Sequence, residues 1–387
     1  MNVIGIAADQ DLATTARYSK RAVGEAVFCR SNRRIGARPF FSICIPQYNR
    51  TDFLVKACGT FVSQTFGDFE ICISDDCSDD GKELVLWEYL DRSNVLYTYV
   101  KTPTNLRYDG NLRNAISLSA GEYVLLMGND DGLTDHRVLE AVHNDLVRFR
   151  PVVVALVNYR EALSGRIYRR VATTGVLGAG PGLAVRTFRN YSFVSGIVLK
   201  GDAARQAATD AYDGSEMYQM YLGTRLVAAG GRLLGIDRVC IDKDIQISGQ
   251  TVDSYRLKPR LRPCPIVERR LPLGRLLEVM AGGLDSYHSG VEREKDLVDA
   301  ARQLFQFTYP FWLVEYRRIQ SWRYALGVFL ALRPRRIAGR LALSRWGMLF
   351  LWIMYLSCGL GALAIPIRFF DALRPRLYAR AKRLRSG

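Results

Sequence analysis

The sequence predicts an α/β protein whose central sheet is mostly parallel. Short apolar runs of strand type alternate with segments of helical spacing over roughly 120 residues, which is the pattern of a parallel sheet. Polar residues follow directly after three of these runs, and open sheets of this class bind ligands at the carboxyl ends of their strands. The turn after the first run has neither the glycines of a dinucleotide-binding loop nor a Walker A motif. A dinucleotide-binding fold and a P-loop are therefore disfavoured.

The individual elements follow from the spacing of apolar residues. The predicted strands are Phe40–Ile45, Phe69–Ser74, Val95–Val100, Glu122–Met127 and Pro151–Val157. The predicted helices are Asp52–Gln64, Glu83–Leu90 with its start at Ser78–Gly81, Asn111–Ser119 and Thr134–Phe149. Beyond residue 158 the pattern weakens, and Gly165–Gly182 predicts loops or a short hairpin. Further along, the sequence predicts a strand over Tyr191–Leu199, a helix over Met217–Ala229 and an edge strand over Arg232–Cys240.

The chain of 387 residues is basic, and its excess charge is concentrated near the end. It contains 54 Lys and Arg against 38 Asp and Glu. Residues 310–387 hold 15 of the basic residues and two acids, so this tail carries +13 and the rest of the chain +3. A nucleic-acid-binding protein would distribute basic residues over the α/β body. The pattern instead indicates a nearly neutral body joined to a basic, hydrophobic tail, and no nucleic-acid partner.

Cysteines and the first residues give information on the compartment. The eight cysteines include no C-x-x-C pair, and with only three histidines in the chain no zinc site is indicated. Cys44 and Cys72 lie in apolar runs, so we expect reduced thiols in a cytosolic compartment. Residues 1–37 lack the apolar core of a secretory signal, and we expect a loosely ordered extension there.

The polar clusters after the strands are the main indication of function. They are Gln47-Tyr48-Asn49-Arg50 after the first strand, Asp75-Asp76 after the second and Asn129-Asp130-Asp131 after the fourth. Carboxylates cannot neutralise a bound diphosphate directly, but carboxylates that hold a divalent cation can. A structural alternative stays open, because Asp is a favoured helix N-cap and both acidic clusters precede predicted helices.

These segments together resemble family 2 glycosyltransferases, which have the GT-A fold. Ile43-Cys44-Ile45-Pro46-Gln47-Tyr48-Asn49-Arg50 is similar to the family's opening strand and turn, and Ile73-Ser74-Asp75-Asp76-Cys77-Ser78-Asp79 to its acidic motif on the second strand. Asn105, Gly110, Arg113-Asn114-Ala115 and Ala120-Gly121-Glu122-Tyr123-Val124 match its helix and fourth strand. Asn129-Asp130-Asp131 stands where the family carries its metal-binding D-x-D motif. The resemblance covers about residues 39–240, with four motifs in the family's order.

The resemblance implies an inverting transfer of a sugar from a nucleotide diphosphate to an acceptor hydroxyl. It places Pro46, Tyr48 and Asn49 beside the nucleotide, and Asp75 and Asp76 near the base or ribose. It places Arg113, Asn114 and Asn129 near the donor. Asp130, with Asp131, would bind Mg²⁺ or Mn²⁺ on the diphosphate oxygens and offset the charge of the leaving group.

Two further positions are judged against the family pattern. Gly128 occupies the first position of D-x-D, so the motif here reads Asn129-Asp130-Asp131 with a neutral amide first. The family takes its catalytic base from an Asp or Glu at the start of a late helix, which points to Glu216, with Asp213 as the second candidate. A structural role in the first turn of the helix is the alternative for Glu216. The Q-x-x-R-W motif of processive members is absent, so we expect a single addition.

The tail contains an uncharged segment long enough to cross a bilayer. Trp346–Ile367 has about 22 residues without charge. Arginines flank it on both sides, and the positive-inside rule would place both flanks in the cytosol. A re-entrant or interfacial helix satisfies this rule, a single span leaves one basic flank outside, and a buried helix of a soluble protein is the third alternative. Tyr324–Leu332 is predicted as a further helix on the membrane surface.

The sequence thus predicts four regions: an extension over 1–37, a GT-A glycosyltransferase domain over 38–245, a linker with a helical segment over 246–309, and a helical membrane-associating region over 310–387. The predicted activity is sugar transfer from a nucleotide-diphosphate sugar to a lipid-linked saccharide acceptor. We expect the protein on the cytoplasmic side of the cell membrane, in contact with membrane lipids. An inactive glycosyltransferase-like scaffold for saccharide assembly is the alternative, and Gly128 favours it.

Overall fold

The computed structural model describes residues 28–34, 36–248, 272–284, 290–339, 341 and 343–386. Within these residues the chain divides into two units. The first comprises residues up to 177, 193–213 and 232–248, and the second comprises 178–192, 214–231 and the residues from 272 onward. Residues 1–27 of the predicted extension, and 249–271 and 285–289 of the predicted linker, lie outside the described residues. The four predicted regions remain predictions.

Eleven strands are found in the described residues. They are β1 (Phe28–Ser31), β2 (Phe41–Gln47), β3 (Phe69–Asp75), β4 (Leu96–Lys101), β5 (Tyr123–Leu126), β6 (Gly132–Leu133), β7 (Val154–Glu161), β8 (Ile167–Tyr168), β9 (Gly175–Gly178), β10 (Ile197–Lys200) and β11 (Leu233–Lys243).

The α-helices of the described residues are numbered in the same way. They are α1 (Thr51–Val62), α2 (Glu83–Arg92), α3 (Arg107–Ser117), α4 (Val138–Arg148), α5 (Pro181–Thr187), α6 (Gly201–Gln206), α7 (Tyr218–Ala228), α8 (Leu276–Leu284), α9 (Gly290–Gln303), α10 (Tyr309–Ile319), α11 (Trp322–Ala331), α12 (Pro334–Ile337), α13 (Arg345–Ala364) and α14 (Ile367–Ser386).

The sheet of the first unit has a parallel centre, as the sequence predicts. Its strand order is β1-β4-β3-β2-β5-β10-β7-β11-β6. Strands β4, β3, β2 and β5 are parallel, and so are β7 and β11. Strand β10 is antiparallel to both β5 and β7, so these two strands run in the same direction. The carboxyl ends of β2, β3, β4, β5, β7 and β11 therefore meet at one edge of the sheet.

Apolar spacing locates the core elements. Helix α1 buries Phe53, Leu54, Ala57 and Phe61, which are four of the residues whose spacing predicts it. Strands β2 and β3 are buried along their whole length except for the half-buried Pro46. Both faces of a central strand are buried in the protein. The sequence of such a strand is therefore a continuous apolar run rather than an alternation of apolar and polar residues.

Three predicted elements differ from the structure. Residues 28–31 form β1 against β4 rather than a loose extension, with Ser31 Oγ bonded to the neighbouring strand. The predicted strand Tyr191–Leu199 is extended only from Ile197, because a 3-10 turn ends at Tyr191 and Gly196 has a φ of 80°. The predicted edge strand is the internal strand β11, which pairs with β7, β6 and β9 and reaches Lys243.

The second unit is helical in its described residues. Close helix contacts use glycines: a Cβ at Gly223 of α7 would lie 2.5 Å from the Tyr191 ring, and one at Gly283 of α8 would lie 2.8 Å from Thr224. Helix α13 packs on α10 and α11, where Tyr355 stacks on Phe329 with ring centroids 4.3 Å apart. Among the described residues, α13 is the one helix that is long and apolar enough to cross a membrane, judged by length and composition alone.

Gly121 tests the packing of the first unit. A Cβ at this position would lie 2.6 Å from Ser42 Oγ and 2.7 Å from the Ser42 backbone nitrogen. Because the backbone of β2 cannot move aside without shifting the sheet, we expect Gly121→Ala to cost about 1–3 kcal/mol of stability and to lower the urea midpoint and Tm. Gly67→Ala is the control, since a Cβ there meets nothing within 4 Å. Equal midpoints for both variants would contradict this account of the packing.

Candidate active site

The polar clusters of the sequence do meet at the carboxyl edge of the parallel strands. The turn after β2, the turn after β3 and the loop after β5 leave the sheet at this edge. Strand β10 runs the other way, so Ser195, two residues before its start, also reaches the edge. Strand β11 ends there at Lys243 and is followed by Asp244. Five chain segments thus contribute side chains to one place.

Hydrogen bonds join the turn after β2 to the loop after β5. The Asn129 side-chain amide donates to Gln47 Oε1 at 2.8 Å, and Gln47 Nε2 donates to the Asn49 carbonyl at 2.6 Å. Arg50 Nη1 donates to Asp130 Oδ2 at 2.7 Å. Gln47 is fully buried, whereas Tyr48 is 48% exposed. The first and third polar clusters of the sequence are therefore linked by direct contacts.

Three carboxylates form the acidic centre of the site. One oxygen from each of Asp130, Asp131 and Asp244 lies within 4.8 Å of the others. The Asp244 carboxylate pairs with the Lys243 ammonium, and both side chains are buried. The Asp130 side chain is the more accessible, at 10% exposure. The fold thus adds a third acid, from the end of β11, to the two that the sequence predicts.

Asp131 is held by neutral donors. Its Oδ1 accepts from the Asp244 backbone nitrogen at 2.9 Å, and its Oδ2 accepts from the Ser195 hydroxyl. Burial, followed by the nearby Asp130 charge, raises the pKa of Asp131 to about 7. Asp131 therefore positions the loop after β5, and it adds negative charge when ionised.

Gly128 has a packing reason in this loop. Its backbone nitrogen donates to Ser195 Oγ at 2.8 Å, and a Cβ there would lie 2.9 Å from Asp131 Oδ2 and 3.3 Å from Asp130 Oδ1. An Asp at position 128 would crowd both carboxylates. The glycine at the first motif position thus leaves room for the Asp130 and Asp131 carboxylates, which lie close to its backbone.

The acids after β3 are buried and bonded within the protein. Asp75 accepts from Tyr99 OH at 2.7 Å and from the Ser78 backbone nitrogen at 2.7 Å. Asp76 accepts from the Leu106 backbone nitrogen, and burial raises the pKa of Asp76 to about 6. Neither side chain caps α2, which has no side-chain cap. The N-cap alternative therefore does not apply to this pair.

Left-handed backbone is concentrated at the same edge. Of the seven non-glycine residues with positive φ in the described residues, five follow the carboxyl ends of these strands; they are Asn49, Arg50, Cys77, Arg107 and Asp244. Residues other than glycine rarely adopt this backbone conformation. It persists where surrounding contacts enforce it, as at functional sites. The loops at this edge are held in defined, costly conformations.

Arg113 and Asn114 on α3 face different surroundings. Arg113 makes a two-pronged ion pair with Asp213, at 2.5 and 2.8 Å, and also donates to the Thr209 carbonyl. Asn114 is fully buried and donates to Ser74 Oγ at 2.8 Å. Both contacts fasten chain segments to one another. The predicted donor-binding roles of these two residues remain predictions.

Of the two predicted bases, Asp213 belongs to the first unit and Glu216 to the second. Both Asp213 oxygens are engaged by the Arg113 guanidinium. Glu216 has a φ of 59°, and the preceding Ser215 is fully buried. Glu216 itself is exposed, and its left-handed backbone is of the kind that is found at functional sites.

The donor atoms of the acidic centre suit a hard divalent cation. Carboxylate oxygens are the ligands that Mg²⁺ and Mn²⁺ prefer. All three are engaged within the protein, Asp131 on both oxygens, Asp244 by Lys243 and Asp130 by Arg50, and the Asp130 side chain is the most accessible of them. The three carboxylates therefore fit a single divalent cation.

Sequence reasoning missed Asp244, Ser195 and the contact of Arg50 with Asp130. Asp244 was missed because the predicted strand ends at Cys240, whereas β11 extends to Lys243 and Asp244 follows it directly. Ser195 could not, because its position depends on the reversed direction of β10. The partner of Arg50 likewise requires the packing of two loops that are 80 residues apart.

Comparison with known sequences identifies the domain. The family described as "Glycosyl transferase family 2" matches residues 42–197. Abequosyltransferase RfbV of Salmonella typhimurium is 37% identical over 94 residues, which cover 24% of this chain and 28% of that protein. GalNAc(5)-diNAcBac-PP-undecaprenol beta-1,3-glucosyltransferase of Campylobacter jejuni is 34% identical over 100 residues, covering 24% of this chain and 31% of that protein. The alignments thus span about a third or less of either relative.

Comparison with solved structures supports the fold over most of the chain. The TarS 1–349 fragment of S. aureus in complex with UDP has a TM-score of 0.53 and 15% identity, covering 89% of this chain and 88% of that one. At this identity the likeness concerns the fold alone. Together with the family match and the strand-end carboxylates, it confirms the fold and family predicted above. Residues 42–197 of the chain therefore match glycosyltransferase family 2, and the described fold is of the GT-A type.

Proposed function

We propose that this protein transfers one sugar, with inversion, from a nucleotide-diphosphate donor to a lipid-linked saccharide on the cytosolic face of a membrane. The observation that carries the proposal is the acidic centre of Asp130, Asp131 and Asp244 at the carboxyl edge of the parallel strands. The Campylobacter jejuni relative is named for a substrate on undecaprenol diphosphate, which supports a lipid-linked acceptor. The apolar helix α13 and the basic tail support membrane attachment.

Asp130 is the residue that we assign to the divalent cation. When bound, Mg²⁺ or Mn²⁺ supplies Lewis-acid stabilisation of the departing diphosphate. Asp131 and Asp244 contribute negative charge around it while their own hydrogen bonds fix the loop after β5 and the end of β11. The protein's part is to keep these oxygens in place before the donor arrives, since an ordered site avoids reorganisation during the reaction.

The turns after β2 and β3 are assigned to the nucleotide. Tyr48 offers an exposed aromatic ring beside the turn, and the neighbouring Asn49 is fixed by its bonds to Ser78 and Asp79. The Asp76 carboxyl group lies just beyond β3. Because burial raises its pKa to about 6, it is only partly deprotonated near pH 6. These groups are suited to accept hydrogen bonds from a base or ribose.

Glu216 is the group that we assign as catalytic base. An inverting transfer needs a carboxylate that takes the proton of the acceptor hydroxyl as this oxygen attacks the anomeric carbon and the diphosphate leaves. Asp213 is less suited, because both of its oxygens are engaged by the Arg113 guanidinium. We therefore assign Asp213 to holding α3 and the 209–213 segment together.

The scaffold alternative rests on Gly128, and the geometry weakens that argument. The position is constrained by packing against Asp131, while the carboxylate assigned to the cation, Asp130, is retained. An inactive scaffold would have no need to keep three carboxylates together against their mutual repulsion.

Asp130→Ala tests the metal role. We expect donor hydrolysis to fall at least about 100-fold, because Lewis-acid stabilisation contributes several kcal/mol to the transition state. A panel of UDP-, GDP- and dTDP-sugars with Mn²⁺ identifies the donor by thermal stabilisation, and release of the nucleoside diphosphate measures turnover. Asp135→Ala is the control, since this acid forms an exposed ion pair with Arg238. An unchanged rate in Asp130→Ala would remove the metal role.

Glu216→Gln and Asp213→Asn separate the two candidate bases. We expect Glu216→Gln to retain nucleotide-induced thermal stabilisation and to lose about 10²–10⁴-fold in turnover, the usual contribution of general base catalysis. We expect Asp213→Asn to lower the Tm of the free protein, because Arg113 loses a charged partner. The reverse pattern, a stable but inactive Asp213→Asn and an active Glu216→Gln, would reassign the base to Asp213.

A further inference from the structure

Helix α13 has two faces with opposite surroundings. One face is buried within the second unit, where Tyr355 OH donates to the Phe329 carbonyl and a Cβ at Gly359 would lie 2.4 Å from the Phe329 ring. The other face carries large apolar side chains that are 44% to 79% exposed. We call these the apolar stripe: Trp346, Leu349, Ile353, Leu356 and Leu360.

The apolar stripe is a continuous line rather than scattered exposure. Its members are separated by three or four residues, so they lie on one side of the helix over four turns. Single exposed apolar residues are ordinary on protein surfaces, but a contiguous line of this length marks a contact with a partner or a membrane.

The charges around α13 select a membrane surface as the partner. Arg345 at its start and Arg368 and Arg376 after its end are exposed. Exposed arginines beside a membrane surface attract the phosphates of anionic lipids. A second protein copy would bring the same arginines to the interface, and these like charges would oppose association.

The packing of α13 opposes a crossing orientation. It lies against α10 and α11, which have 11 and 10 residues, whereas a span needs about 20. Arg317 of α10 donates to the Ala362 and Ile365 carbonyls at the end of α13. Moving α13 across the bilayer would carry these short helices and their arginines into hydrocarbon, which is costly.

We propose that α13 lies in the plane of an anionic membrane, with the apolar stripe at the acyl boundary and Arg345, Arg368 and Arg376 on lipid phosphates. This inference rests on the membrane attachment proposed above and adds its orientation and its residues. Helices with one apolar face and basic flanks bind membranes in this way. Both arginine-rich flanks then stay on the side of the membrane where the protein binds.

Flotation with lipid vesicles tests this docking. The full chain is mixed with vesicles of phosphatidylcholine alone or of phosphatidylcholine with phosphatidylglycerol. We expect binding that is stronger with phosphatidylglycerol, and an Ile353→Asp, Leu360→Asp variant that binds at least about tenfold more weakly. Leu163→Asp is the control, because Leu163 is 70% exposed in the first unit. Equal flotation of the stripe variant and the control would overturn the proposal.

Two further readouts fix the orientation and the independence from catalysis. A C-terminal epitope tag should stay accessible to external protease on sealed vesicles, whereas protection of the tag would mean that α13 crosses and would overturn the in-plane orientation. The wild type could instead self-associate without binding vesicles, and the stripe variant could lose this self-association. That outcome would assign the stripe to a second copy and overturn the proposal. Donor hydrolysis in solution should be equal in the wild type and the stripe variant, so failure of docking is distinguishable from failure of the proposed activity.

A separate observation concerns Arg50. Arg50 and Asn49 have φ values of 58° and 51°, so the backbone of two consecutive residues is in the left-handed conformation. This backbone directs the half-exposed Arg50 side chain to Asp130, with Nη1 and Oδ2 2.7 Å apart. Asp130 is the carboxylate assigned to the divalent cation, so the guanidinium and the cation compete for the same carboxylate.

We infer that Arg50 is a positioning residue that holds Asp130 in the free protein and moves to the diphosphate when the donor binds. A guanidinium stays charged, so on losing Asp130 it can pair with another anion. Phosphate oxygens match its two-pronged geometry. The inference rests on the metal role of Asp130 in the proposed function.

The Arg50→Gln variant should change two affinities in opposite directions. We expect Mn²⁺ alone to bind about tenfold more tightly, because a charge-assisted contact no longer occupies Asp130. We expect Mn²⁺ with a nucleoside diphosphate to bind more weakly, because the phosphate contact is lost. Calorimetry and the electron paramagnetic resonance of free Mn²⁺ measure both. Arg238→Gln is the control, since its ion pair with Asp135 lies on the surface.

The outcomes separate this inference from the proposed function. A merely structural Arg50 would weaken both affinities together, which would overturn the inference while leaving the metal role intact. No Mn²⁺ binding by the wild type, with or without a nucleoside diphosphate, would overturn the metal role and the inference together. Unchanged affinities in Arg50→Gln would show that the guanidinium competes for neither site and would also overturn it.

Discussion

The repulsion between buried carboxylates is the constraint on which the first unit's active edge depends. Asp75, Asp76, Asp131 and Asp244 are each at most 3% exposed, and Asp130 is 7% exposed. Removing such groups from water is costly unless hydrogen bonds or opposite charges compensate. Backbone nitrogens, the Ser195 hydroxyl and the Lys243 ammonium provide that compensation. At Asp130, the most accessible of these carboxylates, the Arg50 guanidinium provides an opposite charge.

The parallel sheet explains why these costs are met at one place. Parallel strands deliver their carboxyl ends to a common edge, and the chain turns there after each of them. Several of these turns place non-glycine residues at positive φ, including Asn49, Arg50 and Asp244. A less demanding backbone would direct Arg50 and Asp244 elsewhere. The strain of the loops and the convergence of charge are therefore two consequences of the same strand arrangement.

The sequence was sufficient for the features that depend on local order. Apolar spacing located α1 and the central strands, and the position of Asp75 and Asp130 after strands indicated the edge where they meet. It was insufficient where long-range pairing decides. The reversed direction of β10, which brings Ser195 to Asp131, and the internal position of β11 depend on strand pairing that spans many residues. The contact between Arg50 and Asp130 likewise arises only when two distant loops pack.

The charge of the tail acquires a different meaning once its contacts are known. Composition alone gives the last 78 residues an excess of +13, as if every arginine were available to a partner. Several are engaged within the unit: Arg317 on the carbonyls that end α13, Arg318 with Asp371, and Arg374 with Glu315. Exposed arginines remain at the two ends of the apolar helix. Adsorption to a lipid surface requires exposed positive charges and exposed apolar side chains on the same side of the protein. The positions of the exposed arginines relative to the apolar stripe therefore describe the tail better than its net charge does.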